Sequence, residues 1–310
     1  MGMYRAGIVI RRNRLALHMT QEDLCDGICD TQTISRIENG KQNPGKDTYR
    51  KLMERMGREK DRAFAMVSGE DVRVMDYARE YENALHKFEY EKADEFLSKL
   101  EPLVDDSPNS RQYVMGARAI VDWSLKRVTP QEGRERLKEA LSITMEEADQ
   151  KDFSSYPLMR NEVRILCNIA NTYFIEGELR KAVALLESIY EGTVSGYRIP
   201  EKKRILELFI LDNITNMYGE LGEHKRAIEI AKQGIKICKE EKTSSVLPQL
   251  LGEIEWNMEQ MLEKGEETEF SEKDCEKILR QAYYIATALN QNHNAKLIEK
   301  HYMEYFKKSL

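Results

Sequence analysis

Two stretches of this chain are near copies of one another. Cys167-Asn168-Ile169-Ala170-Asn171-Thr172-Tyr173 aligns without gaps on Asp212-Asn213-Ile214-Thr215-Asn216-Met217-Tyr218, 45 residues further on. The likeness continues from Gly177-Glu178-Leu179-Arg180-Lys181-Ala182 into Gly222-Glu223-His224-Lys225-Arg226-Ala227. Self-similarity at such a period means an array of small units, each too poor in apolar surface to fold alone and each burying its face on the next. Within the copies the apolar residues recur at helical spacing, and strand-type alternation is nowhere sustained. With 33% charged residues, 7 prolines and 17 glycines in 310 positions, the chain reads as all-α.

The order small residue, Tyr, Gly, Ala resembles the tetratricopeptide pattern. Leu166, Ala170, Tyr173, Gly177, Ala182 and Leu186 fall on its signature positions, as do Leu211, Tyr218, Gly222 and Ala227. The period exceeds the usual one of about 34 residues, which predicts longer helices or loops, such as Val194 to Pro200. Weaker copies lie at Tyr77 to Leu100, with Tyr81 and Ala93, and at Val114 to Ile143. The stretch from Ser245 to Phe306 is less regular and is expected to cap the stack. About five repeats are expected.

The first 66 residues follow another logic. A helix over Arg5 to Leu17 should turn Ile8 and Leu15 toward a core and project Arg11, Arg12 and Arg14. Thr20, followed by Asp23, reads as a capping box opening a short helix that ends near Gly27. Asp30 caps a third helix, Thr31 to Asn39, which Gly40 stops. A fourth, over 47–56, points Leu52 and Met56 inward and ends at Gly57. A last apolar turn spans Ala63 to Val67.

The run MTQEDLCDGICDTQTISRIENGKQNP resembles the Cro/C1-type (Xre) helix-turn-helix, with Thr20, Gln21, Leu24, Ile34, Ser35, Ile37, Glu38, Gly40 and Pro44 on the pattern. Leu24 to Ile34 is one residue shorter than usual. That shorter turn, through Gly27-Ile28-Cys29, is similar to the Rap–Rgg–Npr–PlcR–PrgX peptide-pheromone regulators of Gram-positive bacteria.

The resemblance implies a recognition helix in the major groove of an operator. Gln can bond bidentately to adenine, Arg to guanine, and a Thr methyl can pack on thymine. Thr31, Gln32 and Arg36 are therefore candidates for base contacts, with Thr33 beside them. Gln21 stands where the family contacts the backbone and the first base, and Ser35, Asn39 and Lys41 are candidates for phosphates. Glu38 is expected in a structural ion pair. Solvation of a surface helix is the alternative for Gln32 and Arg36.

Helical geometry also divides the repeats into faces. Leu166, Ile169, Ala170 and Tyr173 share one, whereas Arg164, Asn168 and Asn171 lie on another beside Cys167. In the second copy Phe209, Asp212, Asn213 and Asn216 take that place. Each carboxamide offers a donor and an acceptor to a peptide main chain. In pheromone regulators such asparagines hold ligand backbone, so these eight residues are the candidate peptide site, with Arg164 for a carboxylate. Solvation, or a bond to the neighbouring hairpin, is the alternative for each asparagine.

Charge is uneven along the chain. Residues 1–66 hold thirteen Lys and Arg against nine Asp and Glu, a net of +4 that leaves −10 for the rest of a chain of net charge −6. A basic module joined to an acidic one fits a nucleic-acid-facing head. The five cysteines are scattered without CxxC spacing, and read as reduced core thiols of a cytoplasmic protein. The five histidines read as surface residues. No apolar run reaches membrane-spanning length. No phosphate loop, GxSxG or HExxH is present, so an enzyme is not expected, and neither a cofactor nor a metal is called for.

These features predict a helix-turn-helix domain over 1–66, a linker over 67–73 and a repeat domain over 74–310. Two readings follow. One is a homodimeric regulator of a DNA operator whose repeats bind a short signalling peptide. The other is a scaffold or antiactivator whose repeats grip another protein.

Overall fold

A computed structural model describes residues 7, 10–11, 14–15, 17–39, 41–42, 44–56, 72–104, 106, 108–145, 152–155, 158–196 and 200–308. Ile8, Arg12, Gly40, Gly57, the apolar turn at 63–67 and most of the expected linker lie outside them. The chain forms two compact units, Met1–Asn83 with Lys92–Val114, and Ala84–Glu91 with Met115–Leu310. Among the described residues there are helices and no strands.

In the N-terminal part, a leading helical segment around residues 7–15 is followed by α1 (Gln21–Cys25), α2 (Thr31–Glu38) and α3 (Lys46–Arg55). Thr20 and Asp23 close the expected capping box on α1, and Asp30 accepts the Thr33 amide at 2.6 Å to start α2. Gly27 turns the chain between them at φ +65°. Ile10, Leu24, Ile34, Ile37 and Leu52 are completely buried together, with Met53 and Met56 beside them. The leading segment sits in a different rotation from the expected one: Leu15 is 53% exposed, while Arg14 is buried. Ile10 and Arg14, one turn apart, form its inward stripe, and Arg11 is exposed.

The remainder is a succession of helical hairpins. α4 (Val72–His86) leads to α5 (Tyr90–Leu100), and α6 (Pro108–Ser124) to α7 (Pro130–Ser142). Then come α8 (Arg160–Ile175) with α9 (Leu179–Gly196) and α10 (Pro200–Glu220) with α11 (His224–Glu240). The last are α12 (Leu247–Glu263) with α13 (Glu272–Ala288), then α14 (Asn292–Phe306). Val72 and Arg73, expected in a linker, already belong to α4. The extra period length is helix: α9 runs through Gly196 and α10 starts at Pro200, where a loop from Val194 was expected. The irregular C-terminal stretch is a fifth hairpin plus one closing helix.

Each hairpin turns alike. Two residues beyond the end of the first helix the chain enters the left-handed region, at Phe88, Lys126, Gly177, Gly222 and Gly265. The next amide returns to a carbonyl near the helix end, as in Glu178 N–H to Tyr173 O at 2.9 Å and Glu223 N–H to Tyr218 O at 3.0 Å. Gly at 177 and 222 meets this φ without a Cβ penalty. The first helices of successive hairpins stand side by side, α8 with α10 and α10 with α12. Their seams carry a continuous core from Leu137 through Leu166, Ile169, Ile210 and Ile214. A second core runs on from Leu250 to Phe306. All five cysteines are free, four of them buried.

Candidate DNA-reading helix and repeat groove

Helix α2, the expected recognition helix, is fixed by its buried side. Ile34 and Ile37 have no exposed surface, and the adjoining Glu38 carboxylate takes Arg14 Nε at 2.6 Å, Arg14 Nη2 at 2.8 Å and Gln21 Nε2 at 2.7 Å. Arg14 Nη1 also holds the Met19 carbonyl at 2.7 Å. Glu38 therefore makes the expected ion pair, to an arginine that was expected on the surface. The carboxylate raises the Arg14 pKa further, and it keeps one amide hydrogen of the half-buried Gln21 inside the domain. The Asp30 carboxyl, bonded by the Thr33 backbone amide, is held below its ordinary range and stays charged at the head of α2.

On the opposite side, Thr31, Gln32, Arg36 and Asn39 are exposed, and Thr33 and Ser35 are half-buried. Gln32, Arg36 and Asn39 follow at i, i+4 and i+7, one face of a helix. Asn39 leans on Ser35 Oγ at 3.4 Å. Lys41, just past the helix, is exposed.

In the repeats, the face between the first helices carries most of the expected residues. Arg164, Asn168 and Asn171 on α8 and Phe209, Asp212, Asn213 and Asn216 on α10 are all half-buried. Their hydrogen bonds separate them. Asn168 Nδ2 donates to its own Arg164 carbonyl at 2.8 Å, and Asn213 repeats this on Phe209 at 2.7 Å. These two amides brace their helices. Asn216 Nδ2 reaches across to Glu253 of α12 at 3.2 Å. The Asn171 carboxamide, at the same repeat position as Asn216, bonds to no described residue. Arg164 is held by Asn161 Oδ1 at 2.8 Å.

Cys167 corrects one expectation. It is fully buried in the core, and burial pushes its thiol well above the ordinary range. Packing of α8 against α7, α9 and α10 covers Cys167, while Arg164, Asn168 and Asn171 stay half-buried.

The sequence reading missed Glu253. It stands on α12, near enough to Asp212 of α10 for its charge to act on that carboxyl. Burial first, then the Glu253 charge, raises Asp212 to about 7. Burial raises Glu253 to about 7, against the Asn216 hydrogen bond. A third copy of the repeat signals this: Glu253-Ile254-Glu255-Trp256-Asn257 follows Phe209-Ile210-Leu211-Asp212-Asn213 at 44 residues. Asn257 Nδ2 returns to the Glu253 carbonyl at 2.7 Å, as its two counterparts do. The histidines divide. His18, His86 and His293 are exposed. His224 is buried between Asn257 Oδ1 at 2.8 Å and Lys264 Nζ at 2.7 Å, because the start of α11 packs on α12. His301 is half-buried.

Against known proteins, a helix-turn-helix family matches residues 10–61, and the RNPP family C-terminal domain matches residues 71–307. Among solved structures the fold is similar to PlcR of Bacillus thuringiensis in complex with the peptide PapR7 and DNA. The TM-score is 0.65 and the identity 16%, covering 95% of this chain and 99% of that one. Its apo form gives 0.57 at 15%, over 95% and 98%. ComR from S. thermophilus, in complex with DNA and its signalling peptide ComS, gives 0.53 at 13%, over 96% and 99%. No curated protein matches by sequence. Among the described residues no helix is long and apolar enough to cross a membrane.

Proposed function

This chain belongs to the RNPP family, whose C-terminal domain spans residues 71–307, and on that footing we propose that it is a cytoplasmic transcription regulator switched by a short signalling peptide. Thr31, Gln32, Thr33 and Arg36 read base edges, with Gln21 at the first base. Ser35, Asn39 and Lys41 hold phosphates and set the register. One such domain buries too little surface for strong specificity, so two copies act on a two-fold-related site. The exposed stripe Gln32–Arg36–Asn39, on a helix whose other side is locked through Glu38 to Arg14, supports this half of the reading.

The observation that carries the peptide half is Asn171. Its carboxamide is half-buried and bonds to no described residue, one repeat from Asn216. First helices of stacked hairpins line the concave side, where such amides can take a peptide main chain. Arg164 at one end and the Asp212–Glu253 pair at the other give the groove a polarity. A ligand carboxylate belongs near Arg164, and a cationic group near the carboxyl pair. The similar folds of PlcR and ComR, solved with both DNA and a peptide, support pairing the two functions. By preferring one arrangement of the repeats, the peptide shifts the separation of the two DNA-binding heads.

The test is mass spectrometry of peptides retained by the protein purified from its own host, followed by operator binding with the synthetic peptide. A peptide that alters operator affinity in the wild type, and is lost by the folded Asn171→Ala/Asn216→Ala double variant, is the expected result. A stable complex with a folded protein, and no peptide effect, would instead support a scaffold.

A further inference from the structure

Away from the groove, three metal-ligand side chains converge between the fifth hairpin and the closing helix. Glu255 and Glu259 lie one turn apart on α12, and so on one face. His301 comes from α14. Its Nε2 stands 3.2 Å from Glu255 Oε2 and 2.9 Å from Glu259 Oε2, and the three ligand atoms all lie within 4.8 Å of one another. Glu255 is wholly buried and Glu259 is 5% exposed. Among the described residues, Glu255 Oε1 has no hydrogen-bond partner, and Glu255 Oε2 and Glu259 Oε2 have none beyond their contacts to His301 Nε2.

Two buried carboxylates beside one imidazole are a poor end state in themselves. With the imidazole protonated, the group keeps a net charge of −1 out of water, and the one Nε2–H leaves two of the three carboxylate oxygens without the hydrogen bonds that normally compensate burial. A divalent cation with neutral imidazole brings the same set to zero. The spacing also fits. Ligands at about 2.0–2.2 Å from a tetrahedral metal stand about 3.4 Å apart, and Nε2, at 3.2 and 2.9 Å from the two oxygens, reaches that spacing with a shift of at most about half an ångström.

We propose that Glu255, Glu259 and His301 form a binding site for a divalent transition-metal cation, with Zn²⁺ the best-fitting member of the class. One imidazole nitrogen and two carboxylate oxygens suit zinc, iron or manganese, and zinc binds most tightly of these three. His301 coordinates through Nε2 with its proton on Nδ1. Its 30% exposure leaves a route for the ion and room for water ligands. Bound there, the cation ties α14 to α12 and fastens the closing helix to the last hairpin. No ligand spacing advertises this in sequence, since His301 follows Glu259 by 42 residues.

The test uses the full chain, stripped with EDTA and titrated with ZnCl₂, with bound zinc measured after gel filtration. The wild type and the His293→Gln control should each retain one zinc per chain and melt at higher temperature with it. The near-isosteric Glu259→Gln and His301→Gln variants should fall to background. Cobalt(II) bound to the wild type provides a readout that does not depend on those variants folding. Bands of nitrogen and oxygen ligation are expected, and a thiolate charge-transfer band would overturn the assignment. So would a folded wild type that retains no zinc, or zinc retained equally by both variants; the three residues would then be a buried ion pair and nothing more.

Discussion

Arg14 closes side-on on Glu38, Nε to Oε1 at 2.6 Å and Nη2 to Oε2 at 2.8 Å, at a site where the carboxylate side chain is 2% exposed. Gln21 adds a third donor. One carboxylate at the end of the recognition helix thus joins the leading segment, α1 and α2. The exposed face of α2, proposed to meet DNA, is oriented by charge on its hidden side.

Removing one partner of a buried ion pair leaves the other uncompensated, at a cost of about 3–5 kcal/mol. Arg14→Ala should therefore loosen α2 selectively. Hydrogen exchange of the full chain should show faster exchange at the Ile34–Glu38 amides, with α8 to α11 unchanged. Arg14→Lys should rescue only in part, because an ammonium cannot make the paired contact.

Base readers and phosphate holders should separate on DNA. Gln32→Ala and Arg36→Ala should each lose about 1–3 kcal/mol of discrimination at one base position. Lys41→Ala should weaken all sequences alike and lower the salt slope by about 1. Selection from a random duplex library, followed by salt titration, distinguishes the two. If both recognition-helix variants select the wild-type sequence unchanged, α2 is not the reading helix.

The parts of the architecture legible in the sequence are those where glycine announces the turn. The copies ending at Gly177 and Gly222 stand out, whereas Phe88 and Lys126 occupy the same left-handed position and erase the signal. The copy at Asn257 is one residue out of register with a 45-residue period, and that hid Glu253. Helical faces told which residues share a side but not which neighbour covers it. Cys167 lay next to the asparagine stripe by angle and is buried by α8's neighbours, while Arg14 was assigned outward because the ion pair that buries it spans 24 residues. The asparagine stripe itself was legible, though Asn168 and Asn213 turn back onto their own helices.

The Asp212–Glu253 pair gives stability a defined pH dependence. Both acids titrate near 7 when folded, against ordinary values of 3.8 and 4.5. Below about pH 3 both states are protonated and nothing is lost. As pH rises toward 7 the unfolded chain ionises first, so the folded state loses ground, and the loss levels off above 7. Asp212→Asn should melt like the wild type at about pH 3 and at higher temperature at about pH 8. A melting temperature that rises from pH 5 to 8 in the wild type, with no gain in the variant, would contradict the raised values.

Gly219 sets the spacing between α10 and α12. A Cβ there would stand 2.9 Å from Asn257 Oδ1 and 2.9 Å from the Trp256 ring, and that same Oδ1 is 2.8 Å from His224 Nδ1. Gly219→Ala must push α10 from α12 or break the His224 contact, and overpacking of this kind costs about 1–3 kcal/mol. The shift also falls on the 3.2 Å Asn216–Glu253 bond, so ligand affinity should drop along with the melting temperature. Gly252 is the internal control. It lies in the middle of α12 with nothing within 4 Å of an added Cβ, so Gly252→Ala should gain about 0.5–1 kcal/mol from helix propensity alone. Thermal melts of the two variants should move in opposite directions. Equal shifts would mean that Gly219 answers to helix propensity and not to the α10–α12 contact.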